Sequence, residues 1–401
     1  MLFLLLVWSF FASGQIAPID ILSSQFSEYE LSVLDARTDF LEENKFNSPW
    51  FRELDFRVRS NDTEVDLEDY RLRLGLLNPK EIKANRKYYQ LLLDQQSLER
   101  KKLINDILLR RYELLIEHFY ISNTLTINAG YVQELQQLRD LVINETSDIA
   151  EVVDLEMEIT KLELRNTNLR QQLEIVQLGL GIAENNSLKW NNDHVVNPLD
   201  VNNIISLNSG DNRPLGVLEI EQELEREETI LSIKKAESFS NLGYIQAEYD
   251  SDRGNDFERH FGFQIGIQIP VFNRDRPNIQ RRQLEIVEDR AELEMIKQEE
   301  LVRFSEYKSN IKHLVDQYAI VEKSFSKLDT LKALTTQNGA TIKSYSALAE
   351  YDYFLLSRGI TLQSNLLRQY VQLLHLQGIL SDEPYVNYLS SGLENFSIQD
   401  N

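Results

Sequence analysis

Residues 258–282 read ERHFGFQIGIQIPVFNRDRPNIQRR, and the architecture turns on them. Phe261, Phe263, Ile265, Ile267 and Ile269 alternate with Gly262, Gln264, Gly266 and Gln268. A strict period of two, apolar on one edge and polar or glycine on the other, predicts a strand whose faces meet different media. Pro270 stops the run because proline cannot donate to a sheet ladder, and Pro277 opens a long helical pattern. A weaker copy lies upstream: Tyr70, Leu72, Leu74 and Leu76 alternate with Arg71, Arg73 and Gly75, ending at Pro79. Both copies carry Gly-x-x-x-Pro, at Gly75/Pro79 and Gly266/Pro270, so the chain reads as a duplicated strand-to-helix unit.

Proline placement extends the pattern outward. The 8 prolines leave two long tracts untouched, Lys80 to Asn197 and Asn278 to Glu383. Both tracts are rich in Leu, Ile, Glu, Gln, Lys and Arg, most of which favour helix. Leu103, Ile107, Leu108, Tyr112, Leu115 and Phe119 recur at coiled-coil-like spacing without strict heptads. Each tract turns once. Asn144, Thr146 and Ser147 are helix-starting residues in the first, and Asn338-Gly339 followed by Ser344 or Ser346 stop and restart helix in the second. The interval from Ser147 to Gly181 equals that from Ser344 to Gly378. Each descending helix should be about 100 Å long. Residues 20–47 are expected to form one amphipathic helix, and Trp50 to Arg59 a strand in hairpin with Tyr70–Leu77.

The expected organisation is therefore a signal peptide over residues 1–14 and a first repeat over 15–181, with strands 50–60 and 69–78 and a tip near 143–148. A polar, Asn-rich break covers 182–214. The second repeat covers 215–379, with strands 241–250 and 260–270 and a tip near 337–346, and a tail over 380–401 lies beside the break. The opening MLFLLLVWSFFASGQ has an apolar run too short to span a bilayer and small residues suited to cleavage, so export is expected. With no cysteine, disulfides and thiolate metal sites are excluded. A net charge of −22 disfavours nucleic acid. No other stretch approaches the length of a membrane helix either, so entry into a membrane would require a β-barrel. Four strands from one chain cannot close one, and open edges are not tolerated in a bilayer. Three chains would supply twelve strands, enough for an aqueous lumen.

Two segments resemble the outer-membrane efflux protein family, the TolC-like channels. FGFQIGIQIPVFNRDRPNIQRRQLEI is similar to that family's strand ending in a Pro-Leu-Phe-Asp/Asn element, here Pro270-Val271-Phe272-Asn273. DNRPLGVLEIEQELEREETILSIKKAESFSNLGYIQAEY is similar to its Arg-Pro-led ascending helix and following strand. The resemblance covers both repeats. It implies a mainly α protein with a β-barrel part: a homotrimer whose twelve-stranded barrel in outer-membrane lipid of a Gram-negative-type bacterium continues as a periplasmic helical tube. It also implies a non-enzymatic exit duct without cofactors, joined through a periplasmic adaptor to an inner-membrane transporter for efflux or type I secretion. The first repeat's junction, LNPKEIKANRKYY, lacks the family's Phe-Asp-Gly-like element. A periplasmic coiled-coil adaptor or interaction protein is the competing reading; it would bury its strands in its own core.

Candidate site residues fall in two groups. Arg57, Arg59, Arg71 and Arg73 share one strand parity, opposite Leu54, Phe56, Val58, Leu72 and Leu74. A charge facing lipid near the midplane costs about 2–4 kcal/mol, so the four should line the lumen. There they either form a basic zone favouring anions or pair with Glu53 and Asp55 and solvate the wall. Arg52 falls on the apolar edge near the strand start, where it could snorkel. At the first tip, Asp148, Glu151 and Asp154 either contact cations or an adaptor, or are ordinary N-terminal helix charge. The resemblance places a narrowing of the entrance, often acidic in the family, at Ser344 and Ala347, with Glu350 and Asp352 as nearby substitutes. Gly179-Leu180-Gly181 ends a helix and reads as a cap, the five histidines lack ligand spacing, and no nucleophilic triad or nucleotide loop is present.

Overall fold

A computed structural model of the chain describes residues 15–24, 29–44, 50–60, 68–145, 149–182, 187–188, 190, 195–201, 213–238, 242–249, 261–267, 276–338 and 341–398. The expected signal peptide, Asp148, Gly339 and Pro270 with its Val-Phe-Asn sequel lie outside the described residues. In chain order the elements are β1 (Gln15–Ile16), α1 (Pro18–Leu22), α2 (Tyr29–Glu43), β2 (Phe51–Ser60), β3 (Glu68–Leu76), α3 (Pro79–Glu145) and α4 (Ile149–Gly179). They continue with β4 (Ser187–Leu188), α5 (Leu215–Ser238), β5 (Leu242–Tyr249), β6 (Phe261–Ile267), α6 (Arg276–Asn338) and α7 (Ile342–Leu376). A 3-10 turn (Ile379–Ser381), β7 (Tyr385–Val386) and β8 (Asn395–Phe396) complete the chain. The succession of two strands, a very long helix and a shorter helix occurs twice.

The chain divides into two compact units. One comprises residues 28–100 and 215–300 and holds a four-stranded antiparallel sheet of order β2-β3-β5-β6. The two hairpins expected from the sequence are thus joined through β3 and β5. In the same unit α5 and α6 pack through Leu231, Ile279 and Ile286. Ion pairs Glu227–Arg282 (2.9 Å), Glu228–Arg290 (2.6 Å) and Glu221–Lys297 (3.2 Å) line the antiparallel seam. Solvent-accessible pairs of this kind contribute about 0–1 kcal/mol each, so they fix register more than stability.

The other unit comprises residues 1–27, 101–214 and 301–401. Here α3 and α4 form a hairpin through Ile121, Leu169 and Val176, and again through Tyr131, Leu135, Ile159 and Leu162. A second hairpin, α6 with α7, closes on Val321, Leu328, Leu355 and Leu362. Asn128, fully buried, donates to Asn166 Oδ1 at 2.7 Å and accepts from the Tyr353 hydroxyl at 3.1 Å, pinning α3, α4 and α7 in one register. The tail docks on α3: the Tyr112 hydroxyl donates to the Val386 carbonyl at 2.7 Å. Val195 bridges to Ser390, so part of the polar break does lie against the tail.

The single helix expected over 20–47 is not formed. Helix α1 ends at Leu22, where the Ser23 and Ser24 hydroxyls turn back to the carbonyls of Asp20 and Ile21. Arg111 Nη1 donates to the carbonyls of Ile21, Leu22 and Ser24 at 3.1, 3.0 and 2.8 Å. The guanidinium satisfies helix-end carbonyls that a further turn of helix would otherwise have paired. Gly181, at φ +68°, terminates α4 as the glycine cap expected there. No described helix is long and apolar enough to cross a membrane.

Candidate functional site

The sheet registers place every second residue of four strands in common rows. Leu54–Leu74–Ile245–Ile265, Phe56–Leu72–Ala247–Phe263 and Val58–Tyr70–Tyr249–Phe261 form one continuous apolar face. That face is open: Phe263 is 81 % exposed, and Leu54, Phe56, Ile265 and Ile267 are also exposed. Aromatic rings cluster at one end, with Tyr249 and Phe261 centroids 5.3 Å apart and Phe56 stacked on Tyr70. Exposed Trp50 and Phe51 stand at the other.

On the opposite face the rows are Glu53–Gly75–Tyr244–Gly266, Asp55–Arg73–Gln246–Gln264, Arg57–Arg71–Glu248–Gly262 and Arg59–Asp69. The four arginines therefore share one face, and among the described residues Glu53, Asp55, Asp69 and Glu248 share it with them. Arg57 pairs with Asp55 at 2.7 Å and Arg71 with Glu248 at 3.5 Å. Arg73 lies 3.7 Å above the Tyr244 ring centroid, a cation–π contact. This arrangement balances the arginines within the wall.

Glycine on β6 makes room for that stack. A Cβ on Gly266 would lie 2.3 Å from the Tyr244 ring, whereas one on Gly75 would meet only the movable Glu53 side chain, at 2.9 Å. Gly266→Ala is accordingly expected to cost about 1–2 kcal/mol more than Gly75→Ala, read as the difference in thermal midpoint. Equal losses would mean that Tyr244 yields freely.

At the first junction Asn78 caps α3, its Oδ1 accepting from Lys80 N at 3.0 Å, and Pro79 takes the first helical position, where its missing N–H costs nothing. Arg52, expected to snorkel, instead pairs with buried Glu81 at 3.1 Å. A register shift between Phe51 and Glu53 takes it out of the alternation.

At the helix-hairpin tips, Glu151 lies in the first turn of α4 and Asp154 is exposed one turn on. Ser344 is committed to helix initiation: its N–H donates to the Thr341 hydroxyl at 3.2 Å, and its hydroxyl accepts from Thr341 N at 2.9 Å. Glu350 sits near Tyr131, whose hydroxyl is pushed up to about 12 by burial and then by Glu350 and Glu158. Asp352 is ion-paired to Lys332 of α6 and lines, with Glu134 of α3, a cleft of about 390 Å³. Burial, then Asp352, raises the Glu134 pKa. Neither Glu134 nor Lys332 stands out in the sequence, since both lie in ordinary helical charge patterns. No group of His, Asp and Glu capable of holding a metal occurs among the described residues.

No family model and no curated protein matches the sequence. Solved structures do. CusC superposes with a TM-score of 0.59 at 13 % identity, over 89 % of this chain and 90 % of that one. The outer membrane protein VceC of Vibrio cholerae gives 0.58 at 11 % identity, over 90 % and 95 %. The open-state outer membrane channel MtrE of Neisseria gonorrhoeae gives 0.57 at 12 % identity, over 89 % and 88 %. Likeness along nearly the whole of each chain means that this protein has the fold of the TolC-like outer-membrane channels.

Proposed function

We propose that the protein is an outer-membrane exit channel of a Gram-negative-type bacterium, serving a tripartite efflux or type I secretion system. Three copies would close their sheets edge to edge, β6 of one against β2 of the next, into a twelve-stranded barrel. The helical hairpins would continue it into the periplasm and meet an adaptor that connects to an inner-membrane transporter. The observation that carries this reading is the two-faced sheet: an exposed apolar face ringed by aromatics at both ends, backed by a charged face, with two open edges. In water such a face and such edges are aggregation hazards; in a closed barrel they become the lipid surface and the strand seams.

The reading implies passive conduction, because the energy would come from the transporter. It also divides the repeats as set out from the sequence, with 182–214 and 380–401 forming a belt. Since four carboxylates share the inner face with Arg57, Arg59, Arg71 and Arg73, the barrel wall would not itself impose an anion preference. Light scattering on detergent-extracted protein from the outer-membrane fraction should give the mass of three chains. Reconstitution in a planar bilayer should then give stable conductance steps. A soluble monomer from the periplasmic fraction would sink the channel and favour an adaptor.

A further inference from the structure

The cleft between α3, α6 and α7 is within the size range of small-molecule sites, at about 390 Å³. Its wall is amphipathic: Leu138, Leu141 and Leu348 provide apolar surface and Tyr345 an aromatic ring. Its charged groups are Glu134, Asp352 and Lys332. Lys332 is ion-paired to Asp352, so the lining keeps an excess of one negative charge, contributed by a third helix. Glu134 bears an electrostatic penalty from burial and from Asp352, which a cation beside it would relieve.

We propose that this cleft binds an amphipathic organic cation, its apolar body against the leucines and its charged head beside Glu134 and the Tyr345 ring. Charge sign selects this occupant: an anion would face the excess carboxylate, and a neutral apolar molecule would leave Glu134 desolvated without compensation. A ligand wedged there would touch three helices at once, two of them the arms of the α6–α7 hairpin. The site lies within one chain and does not depend on the channel reading, because its test reads binding alone.

The full-length protein, purified in detergent, is titrated with benzyltrimethylammonium and separately with benzenesulfonate, with saturation-transfer NMR as the readout. Saturable binding of the cation and none of the sulfonate is expected. Glu134→Gln, which preserves shape, should weaken the cation by about fivefold or more. Thr335→Trp, in the lining of the cleft, should abolish binding by filling it. Comparable binding of cation and anion, wild-type affinity in Glu134→Gln, or no saturable binding would overturn the proposal; the last would mean that the cleft is empty or covered by another polypeptide.

Discussion

Phe263→Arg is expected to fail to accumulate as a trimer in the outer membrane, whereas Gln264→Arg, the next residue of β6, is expected to accumulate normally. The two positions are adjacent in sequence and opposite in face. Phe263 stands in the apolar row Phe56–Leu72–Ala247–Phe263 and is 81 % exposed, so in a barrel it would be presented to lipid. An arginine there would cost about 2–4 kcal/mol at the midplane, once for each of three chains. Gln264 closes the row Asp55–Arg73–Gln246–Gln264 on the charged face, where an arginine would meet polar neighbours and, in a barrel, water. The measurement is the amount of each variant in washed outer membranes and its mass in detergent. Equal behaviour of the two variants would contradict the assignment of faces, whichever way both behaved. Loss of Gln264→Arg alone would mean that the faces are inverted.

That this test can be framed from sequence parity shows how much of the wall was legible in the chain. Alternation in 261–267 and 70–76 specified both strands and both faces, because a period of two admits no other regular structure. Arginine parity in β2 and β3 placed all four guanidiniums on one face before any register was known. What parity could not supply was the pairing of β3 with β5. That contact joins residues far apart in the chain, and its specificity comes from whole rows matching at once, such as Arg71 with Glu248, instead of from a motif in either strand. Arg52 was misread for a related reason: one irregularity between Phe51 and Glu53 breaks the count, and a period-two argument has no means of detecting a bulge.

Among the helices, the proline-free tracts announced the long elements. The break after Leu22 was missed because its cause, Arg111, lies in another helix. The cleft was equally invisible, being assembled from Glu134, Lys332 and Asp352 on three helices that sequence spacing cannot align. At 9–13 % identity to solved channels the chain keeps their fold while few individual residues coincide. This is what a fold held by periodicity and close packing, more than by particular side chains, would leave behind.

The second large effect concerns acid. His118, 3 % exposed on α3, accepts from Trp190 Nε1 at 3.1 Å through Nδ1, with Phe119 edge-on to the same indole at 5.1 Å. An acceptor at Nδ1 fixes the neutral tautomer with its proton on Nε2, which finds no partner among the described residues. Burial lowers the His118 pKa from 6.5 to about 4. The unfolded chain therefore binds a proton across pH 4 to 6.5 that the folded chain refuses. The contribution is fully present above the unfolded value of 6.5 and is lost as pH falls through the folded one. Between pH 7.5 and 4.5 this one group should remove about 2–3 kcal/mol of stability. His118→Gln keeps an acceptor for Trp190 and cannot titrate, so its stability should fall less over the same interval, by about that amount. Denaturation midpoints at the two pH values give the double difference, in which the carboxylates common to both proteins cancel. In a background carrying both Trp8→Phe and Trp50→Phe, Trp190 reports the same event as a change of its emission at acid pH. Parallel pH slopes for the two proteins would mean that His118 is protonated in the folded state and that Trp190 is held by packing alone.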